Sequence, residues 1–281
     1  MGALDPKNRQ NLRLRVASAV VLFPLAVWIT ILGGLPFALL AAGAGAVASS
    51  ELILMFAGLG LAEAFGIAVG GAIPLAAAFG QGGELMPGWT WLALAGATVA
   101  LFTLYLFRRG PLEEIPRSLA AVSLSWLYCG VLLASVVALR LRFGVEWVIL
   151  AFVVTWGNDT FAYFAGHAFG KHKMYERISP KKTWEGFAGG AVGSIAGALV
   201  TRALLPALGA ELSVGHAVLI GVGGAVLGPL GDLAESMVKR AAGVKDSGKI
   251  IPGHGGLLDR IDALLFVSPW VYAVAHVLQA R

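Results

Sequence analysis

Apolar residues run along this chain in blocks of about twenty, the length needed to cross roughly 30 Å of hydrocarbon at 1.5 Å per helical residue. Short clusters of glycine, proline and charge separate the blocks, which fall near 14–34, 36–57, 59–80, 89–107, 118–139, 146–166, 185–206, 214–235 and 260–279. Inside a bilayer each of these must satisfy its own backbone amides, which a helix does. The pattern therefore predicts an all-α, polytopic transmembrane bundle of about nine spans. The division between the second and third spans rests on Gly58-Leu59-Gly60, and Glu51 and Glu63 fall inside or beside them. The first apolar stretch, Val16 to Leu32, is longer than the core of a cleaved signal and is followed by further spans, so it reads as an anchor.

Charge orients the bundle. With the N-terminus in the cytoplasm, all 21 Lys and Arg except Arg140, Arg142, Arg202 and Arg281 fall in inner segments, as the positive-inside rule requires. An even number of spans would instead return the C-terminus to the cytoplasm. Charged residues are only 13% of the chain, against roughly 25% in soluble domains. The hydrophobic share is 58% and the mean hydropathy +0.79, which excludes both a soluble enzyme and a disordered chain. One cysteine, Cys129, removes any intramolecular disulfide or thiolate zinc site. The net charge of +5 sits at span ends and points to a membrane surface, with no nucleic acid as partner. We read one integral-membrane unit, with N-terminal helices over 1–140 and C-terminal helices over 141–281 that carry the polar loops.

Two stretches, 158–186 and 231–262, hold most of the chemistry-bearing side chains. Charge at membrane depth is costly, so Asp159, Asp232 and Glu235 need partners or a cation, unless water at a helix end already serves them. Asp232 and Glu235 are three apart, as are Asp259 and Asp262, which puts each pair on one helical face. Two such faces joined by a short loop can converge on a divalent cation. Carboxylates beside Lys and Arg suit Mg²⁺ bound together with phosphates, whereas zinc lacks both thiolates and a histidine pair. Gly253, Gly255 and Gly256 around His254 permit the tight backbone approach that cradles an anion. Gly243 to Lys249 imitates a P-loop until Ile250 replaces the required Ser or Thr, and no strand or helix frames it. The basic loop with Lys181 and Lys182, set on the same membrane face, completes a phosphate clamp. Gly189, Gly193 and Gly197 form a small-residue face, read first as packing within one subunit and second as a dimer seam. An ion-coupled transporter would also place acids in the membrane, although it leaves the dense Lys, Gly and His of the loops unexplained.

The run Ser236-x-x-Lys239-Arg240-x4-Lys245-Asp246-x-Gly248-x3-Pro252-Gly253-His254-Gly255-Gly256-x-x-Asp259-Arg260-x-Asp262 closely resembles the signature of the CDP-diacylglycerol synthase (phosphatidate cytidylyltransferase) family. Ser179-Pro180-Lys181-Lys182-Thr183-x-Glu185-Gly186 and Asp159-Thr160-x-Ala162-Tyr163 resemble its upstream blocks. The match covers about the C-terminal 125 residues and departs at His167, where Arg or Lys is expected. The resemblance implies a membrane enzyme, commonly a homodimer, that converts CTP and phosphatidate to CDP-diacylglycerol and pyrophosphate with Mg²⁺, its active site facing the cytoplasm from the inner membrane. A second cation such as K⁺ stays open. On this reading Asp232 and Asp259 are the first metal ligands, with Glu235, Asp246 and Asp262 as ligands or orienters. Lys239, Lys245, Asp246 and His254 join Asp232 and Asp259 as catalytic residues. Lys181, Lys182, Thr183, Glu185, Ser236, Arg240, Gly255, Gly256, Arg260, Asp159 and Tyr163 bind substrate. The nearest alternative is another CTP-dependent lipid-phosphate transferase or a lipid kinase.

Overall fold

A computed structural model describes residue 20 and residues 24–80, 88–251, 253 and 255–279. Helix α1 is described over 24–32. It is followed by α2 (Gly34–Phe56), α3 (Leu61–Ala77), α4 (Gly88–Leu106) and α5 (Ile115–Ser125). A π-helical turn, Trp126–Val131, joins α5 to α6 (Leu132–Arg142). Then come α7 (Val145–Phe169), a hairpin of β1 (Lys173–Tyr175) and β2 (Ser179–Thr183), α8 (Trp184–Leu204), the short α9 (Pro206–Glu211), α10 (Val214–Ala241) and α11 (Leu258–Gln279). Every apolar run has a helix, the fifth being the continuous α5–α6 segment. Among the described residues, seven helices are long and apolar enough to cross a membrane, while α3 is apolar but only 17 residues long. Part of the first run lies outside the described residues. The basic 170–183 segment is not an irregular loop but an antiparallel hairpin, in which Lys173 pairs with Thr183 and Tyr175 with Ser179.

Two contacts mark the two ends of the bundle. At one end Arg140, closing α6, donates from Nε to Thr30 O (2.7 Å) and from Nη2 to Ile31 O (2.8 Å), capping the carbonyls that α1 leaves free. The chain then turns through Gly33 at φ 65°, where a Cβ would stand 2.5 Å from the Arg140 guanidinium. At the other end Glu51, near the end of α2, meets the start of α11.

Glycines let α7 and α8 approach so closely that backbone faces backbone. A Cβ on Gly193 would lie 2.4 Å from Gly157 O, and one on Gly189 would lie 2.2 Å from the Ala165 Cβ. Gly197 of α8 packs on Val153 of α7. The small-residue face is thus used within the subunit, as the first of its two readings had it. Buried Trp147, Leu150 and Val154 of α7 and Leu265 and Val271 of α11 belong to one apolar core shared with α2, α3 and α6. That core joins the N-terminal and C-terminal helices.

Candidate functional site

The hairpin between α7 and α8 delivers its lysines by way of an N-cap. Thr183 ends β2 in extended conformation, and its hydroxyl accepts from Gly186 N at 3.1 Å, satisfying one free amide at the start of α8. Glu185, in the first turn, accepts from Lys171 N (3.2 Å) and His172 N (3.2 Å) and lies 2.6 Å from His172 Nδ1. The chain entering the hairpin is thereby tied to the helix leaving it. Lys182 then reaches α10, with Nζ 2.9 Å from Asp232 Oδ2 and 3.0 Å from Pro229 O. Between α7, α8, α10 and the hairpin lies a cavity of about 680 Å³ whose wall includes Asn158, Asp159, Tyr163, Lys181, Lys182 and Asp232. Carboxylates and ammonium groups share one wall, which suits an anionic ligand that arrives with a cation.

A second network organises the loop between α10 and α11. Asp259 Oδ1 accepts from Lys239 Nζ at 2.6 Å, and Oδ2 accepts from Ser247 N (3.0 Å) and Gly256 N (2.9 Å). Lys239 also pairs with Glu235, one turn earlier on α10. Glu51 enters from α2: Oε1 accepts from Leu257 N and Oε2 from Leu258 N, both at 2.8 Å. The Ser247 hydroxyl, 2.9 Å from Glu51 Oε2 and 3.0 Å from Asp259 Oδ2, shares its single proton between the two carboxylates. Glu51 is only 5% exposed. An anion on the first amides of α11 complements both their free N–H groups and the helix dipole. The networks meet along α10, where Gly231 packs so closely that a Cβ would lie 2.6 Å from Asp262 O. Asp159, Asp232 and Asp262 consequently stand within electrostatic reach of one another, with Arg260 in reach of Asp159.

A sequence model of the cytidylyltransferase family matches residues 13–278. The chain belongs to that family. A phosphatidate cytidylyltransferase of Brucella abortus is 33% identical over 298 residues, covering 96% of this chain and 97% of its own length. The protein of that name in Bacillus subtilis is 42% identical over 155 residues, or 54% and 56% of the two chains. A third, from Staphylococcus haemolyticus, is 45% identical over 126 residues, or 45% and 47%.

For a cytidylyltransferase the placement of the expected residues is informative. Asp159, Tyr163, Lys181, Lys182, Thr183 and Asp232 line the cavity together. Ser236 supports Asp232, its Oγ donating to Oδ1 at 3.2 Å. Glu185 does not line the cavity; it holds the hairpin. Lys245, Asp246, Arg240 and Arg260 are exposed on the loop side, with Arg240 bonded to Val244 O at 3.0 Å. His254 and Pro252 lie outside the described residues. The five expected metal ligands do not form one cage. Among the described residues no three His, Cys, Asp or Glu gather at ligand spacing. Asp259 already accepts from Lys239, Ser247 and Gly256, and Glu235 is paired with Lys239. Charge pairing thus engages both acids locally, although neither Glu235 oxygen has a hydrogen-bond partner among the described residues.

The residue reading missed two members, Glu51 and Asn158, and noted a third, His167, only as a departure from the family pattern. Glu51 lies 206 residues from its partner Leu257, so no local spacing could reveal the contact. Asn158 is 1% exposed, lines the cavity, and keeps Nδ2 without a hydrogen-bond partner among the described residues. Its position beside Asp159 in a polar stretch was the available signal. His167 faces the same cavity, its ring stacked on Tyr163 at 6.1 Å between centroids. Gly256 has a sharper role than anion cradle alone: a Cβ there would meet Ser247 Oγ at 2.0 Å and Glu51 Oε2 at 2.5 Å. Gly256→Ala is expected to push Glu51 and Ser247 apart and destabilise the protein by about 1–3 kcal/mol, the usual range for overpacking. Thermal unfolding in detergent, compared with Gly88→Ala where a Cβ meets nothing within 4 Å, measures it.

Proposed function

We propose that this cytidylyltransferase is an integral-membrane enzyme that transfers CMP from CTP to phosphatidate, forming CDP-diacylglycerol and releasing pyrophosphate. The observation that carries this reading is the cavity wall on which Lys181 and Lys182 stand with Asp159 and Asp232. A phosphatidate oxygen attacks the α-phosphorus of CTP as the bond to the β-phosphate breaks. The nucleophile is already anionic, so in-line positioning and neutralisation of charge matter more than a general base. Lys181 and Lys182 would hold phosphate oxygens, with Lys182 moving between Asp232 and substrate. Asn158 Nδ2 offers a buried donor to a phosphate or base oxygen. Asp259 keeps Lys239 and the 244–257 loop in place.

The donor set fits magnesium that arrives with nucleotide. Mg²⁺ usually takes one or two protein carboxylates and completes its shell with phosphate and water. Asp232, 39% exposed at its side chain on the cavity wall, provides such a carboxylate, with Asp159 and Asp262 in electrostatic reach. Bound there, the ion would neutralise triphosphate charge. The cavity would open to the cytoplasm. Lys171, Lys173, Arg177, Lys181, Lys182, Lys245 and Lys249 surround its end of the bundle, and Arg140 and Arg202 close helices that run toward the other.

Purified protein supplied with phosphatidate and CTP labelled at the α- or γ-phosphate tests the reaction. Transfer of α-label to lipid with release of γ-label in pyrophosphate, abolished by EDTA and restored by Mg²⁺, is expected. Transfer of γ-label to lipid would identify a kinase, and label in no lipid would remove the enzymatic reading.

A further inference from the structure

A second pocket, with an ion pair in its lining, lies away from this cavity, where α3 begins and α4 ends. It has a volume of about 220 Å³ and is lined by Gly60, Leu61, Glu63, Leu104, Phe107 and Arg108, among others. That is several times the roughly 30 Å³ one water occupies in the liquid. Glu63 is fully buried. Its Oε1 accepts from Arg108 Nη1 at 2.7 Å and from Tyr105 OH at 3.0 Å. Glu63 contributes to the pocket lining, and its Oε2, buried behind that lining, has no hydrogen-bond partner among the described residues. Gly60 leaves that oxygen its space, since a Cβ there would stand 2.7 Å from it. A buried carboxylate with one oxygen unserved is costly, and the cost disappears when a donor enters.

Arg108 supplies the opposite half. Its guanidinium has five N–H donors, of which Glu63 Oε1 engages one, and its side chain is 26% exposed. The pocket therefore presents an acceptor for a cationic N–H donor beside donors for an anion, on a pair with no net charge. A zwitterion whose ammonium stands a few atoms from a phosphate matches both halves. The surroundings select a lipid as its carrier. Leu61, Leu106 and Phe107 are 75%, 76% and 78% exposed around the pocket, at the ends of two apolar helices of which α4 is long enough to cross a membrane. The pocket also lies at the headgroup level of the bundle end that bears the cavity. Glu51 places the end of α2 there, and α3 begins just after the 57–60 turn.

We propose that this pocket binds the headgroup of an aminophospholipid, its phosphate on Arg108 and its primary ammonium on Glu63 Oε2. The proposal rests on the membrane-spanning helices and is independent of the reaction proposed above. It is tested on the full-length protein reconstituted in vesicles of equal parts phosphatidylethanolamine, phosphatidylcholine and phosphatidylglycerol. The protein is extracted in mild detergent and its retained lipids are counted by native mass spectrometry. Phosphatidylethanolamine should be retained about tenfold over phosphatidylcholine, which has no N–H to donate, and over phosphatidylglycerol, which has no cation. Glu63→Gln and Arg108→Gln should each erase that preference. A wild-type series of N-methyl and N,N-dimethyl headgroups, in which retention falls with each lost N–H, needs no variant to fold. Equal retention across the methylation series, or a preference that survives Glu63→Gln, overturns the proposal. Displacement of the lipid by soluble glycerophosphoethanolamine at matching concentration would overturn the choice of a lipid ligand. CMP transfer, measured on the same samples, reports separately on the catalytic reading.

Discussion

Asp232→Asn is expected to lower CMP transfer by about 10²–10³-fold, the range seen when one preorganised electrostatic contact to a reacting phosphate or oxyanion is removed. The substitution keeps the shape of the side chain. Asparagine can still accept from Ser236 Oγ, and Lys182 retains Pro229 O, so α10 and the hairpin stay docked. What disappears is the negative charge that pairs with Lys182 at 2.9 Å and would share Mg²⁺ with the triphosphate. Two measurements separate these roles from a folding defect. Thermal unfolding in detergent should be nearly unchanged, whereas binding of Mn²⁺ in the presence of CTP, followed by its electron paramagnetic signal, should weaken. Full Mg²⁺-dependent turnover in the variant would take Asp232 out of the metal role altogether.

Glu51→Ala should be the most damaging single change in the N-terminal half. It leaves Leu257 N and Leu258 N without their acceptor and Ser247 Oγ without one of its two. A buried donor left unserved costs about 1–3 kcal/mol, so the amides alone account for several kcal/mol at the start of α11. The effect should concentrate in the 244–257 loop, because Asp259 draws its Ser247 and Gly256 contacts from that loop. Limited proteolysis should cut there first, and CMP transfer should fall with it. Glu51→Gln retains one acceptor oxygen but turns an NH₂ toward a backbone donor, and should lie between wild type and Glu51→Ala in both assays. Wild-type turnover and wild-type protease resistance in Glu51→Gln would show that the loop holds itself without α2.

Much of the bundle was readable without coordinates because one physical constraint dominates it. Hydrocarbon thickness sets the length of each apolar run, and the need to satisfy amides there leaves only helix. The hairpin was harder to see. Lys173, Tyr175 and Ser179 alternate no clear apolar face, and a three-residue strand has little pattern to detect. The polar residues of α7, the hairpin and α10 were recognisable as a group, and Asp159, Lys181, Lys182 and Asp232 do share a cavity wall. Their pairings were not. Spacing put Glu235 beside Asp232 on one face, yet Glu235 is turned to Lys239, and Asp259 serves the same lysine from α11.

From the residues alone follow an all-helical membrane protein, the two stretches that carry its chemistry, and a signature that needs acids, cations and glycines in one order. Each of these depends on local composition and on helical spacing. Only the tertiary structure decided that Glu51 holds the start of α11, that Lys182 meets Asp232, and that Glu63, paired with Arg108, keeps one buried oxygen without a hydrogen-bond partner among the described residues. Those contacts join helices far apart in the chain, and their energy depends on burial and on which donors remain unserved. Neither quantity is encoded in the spacing of residues along one helix.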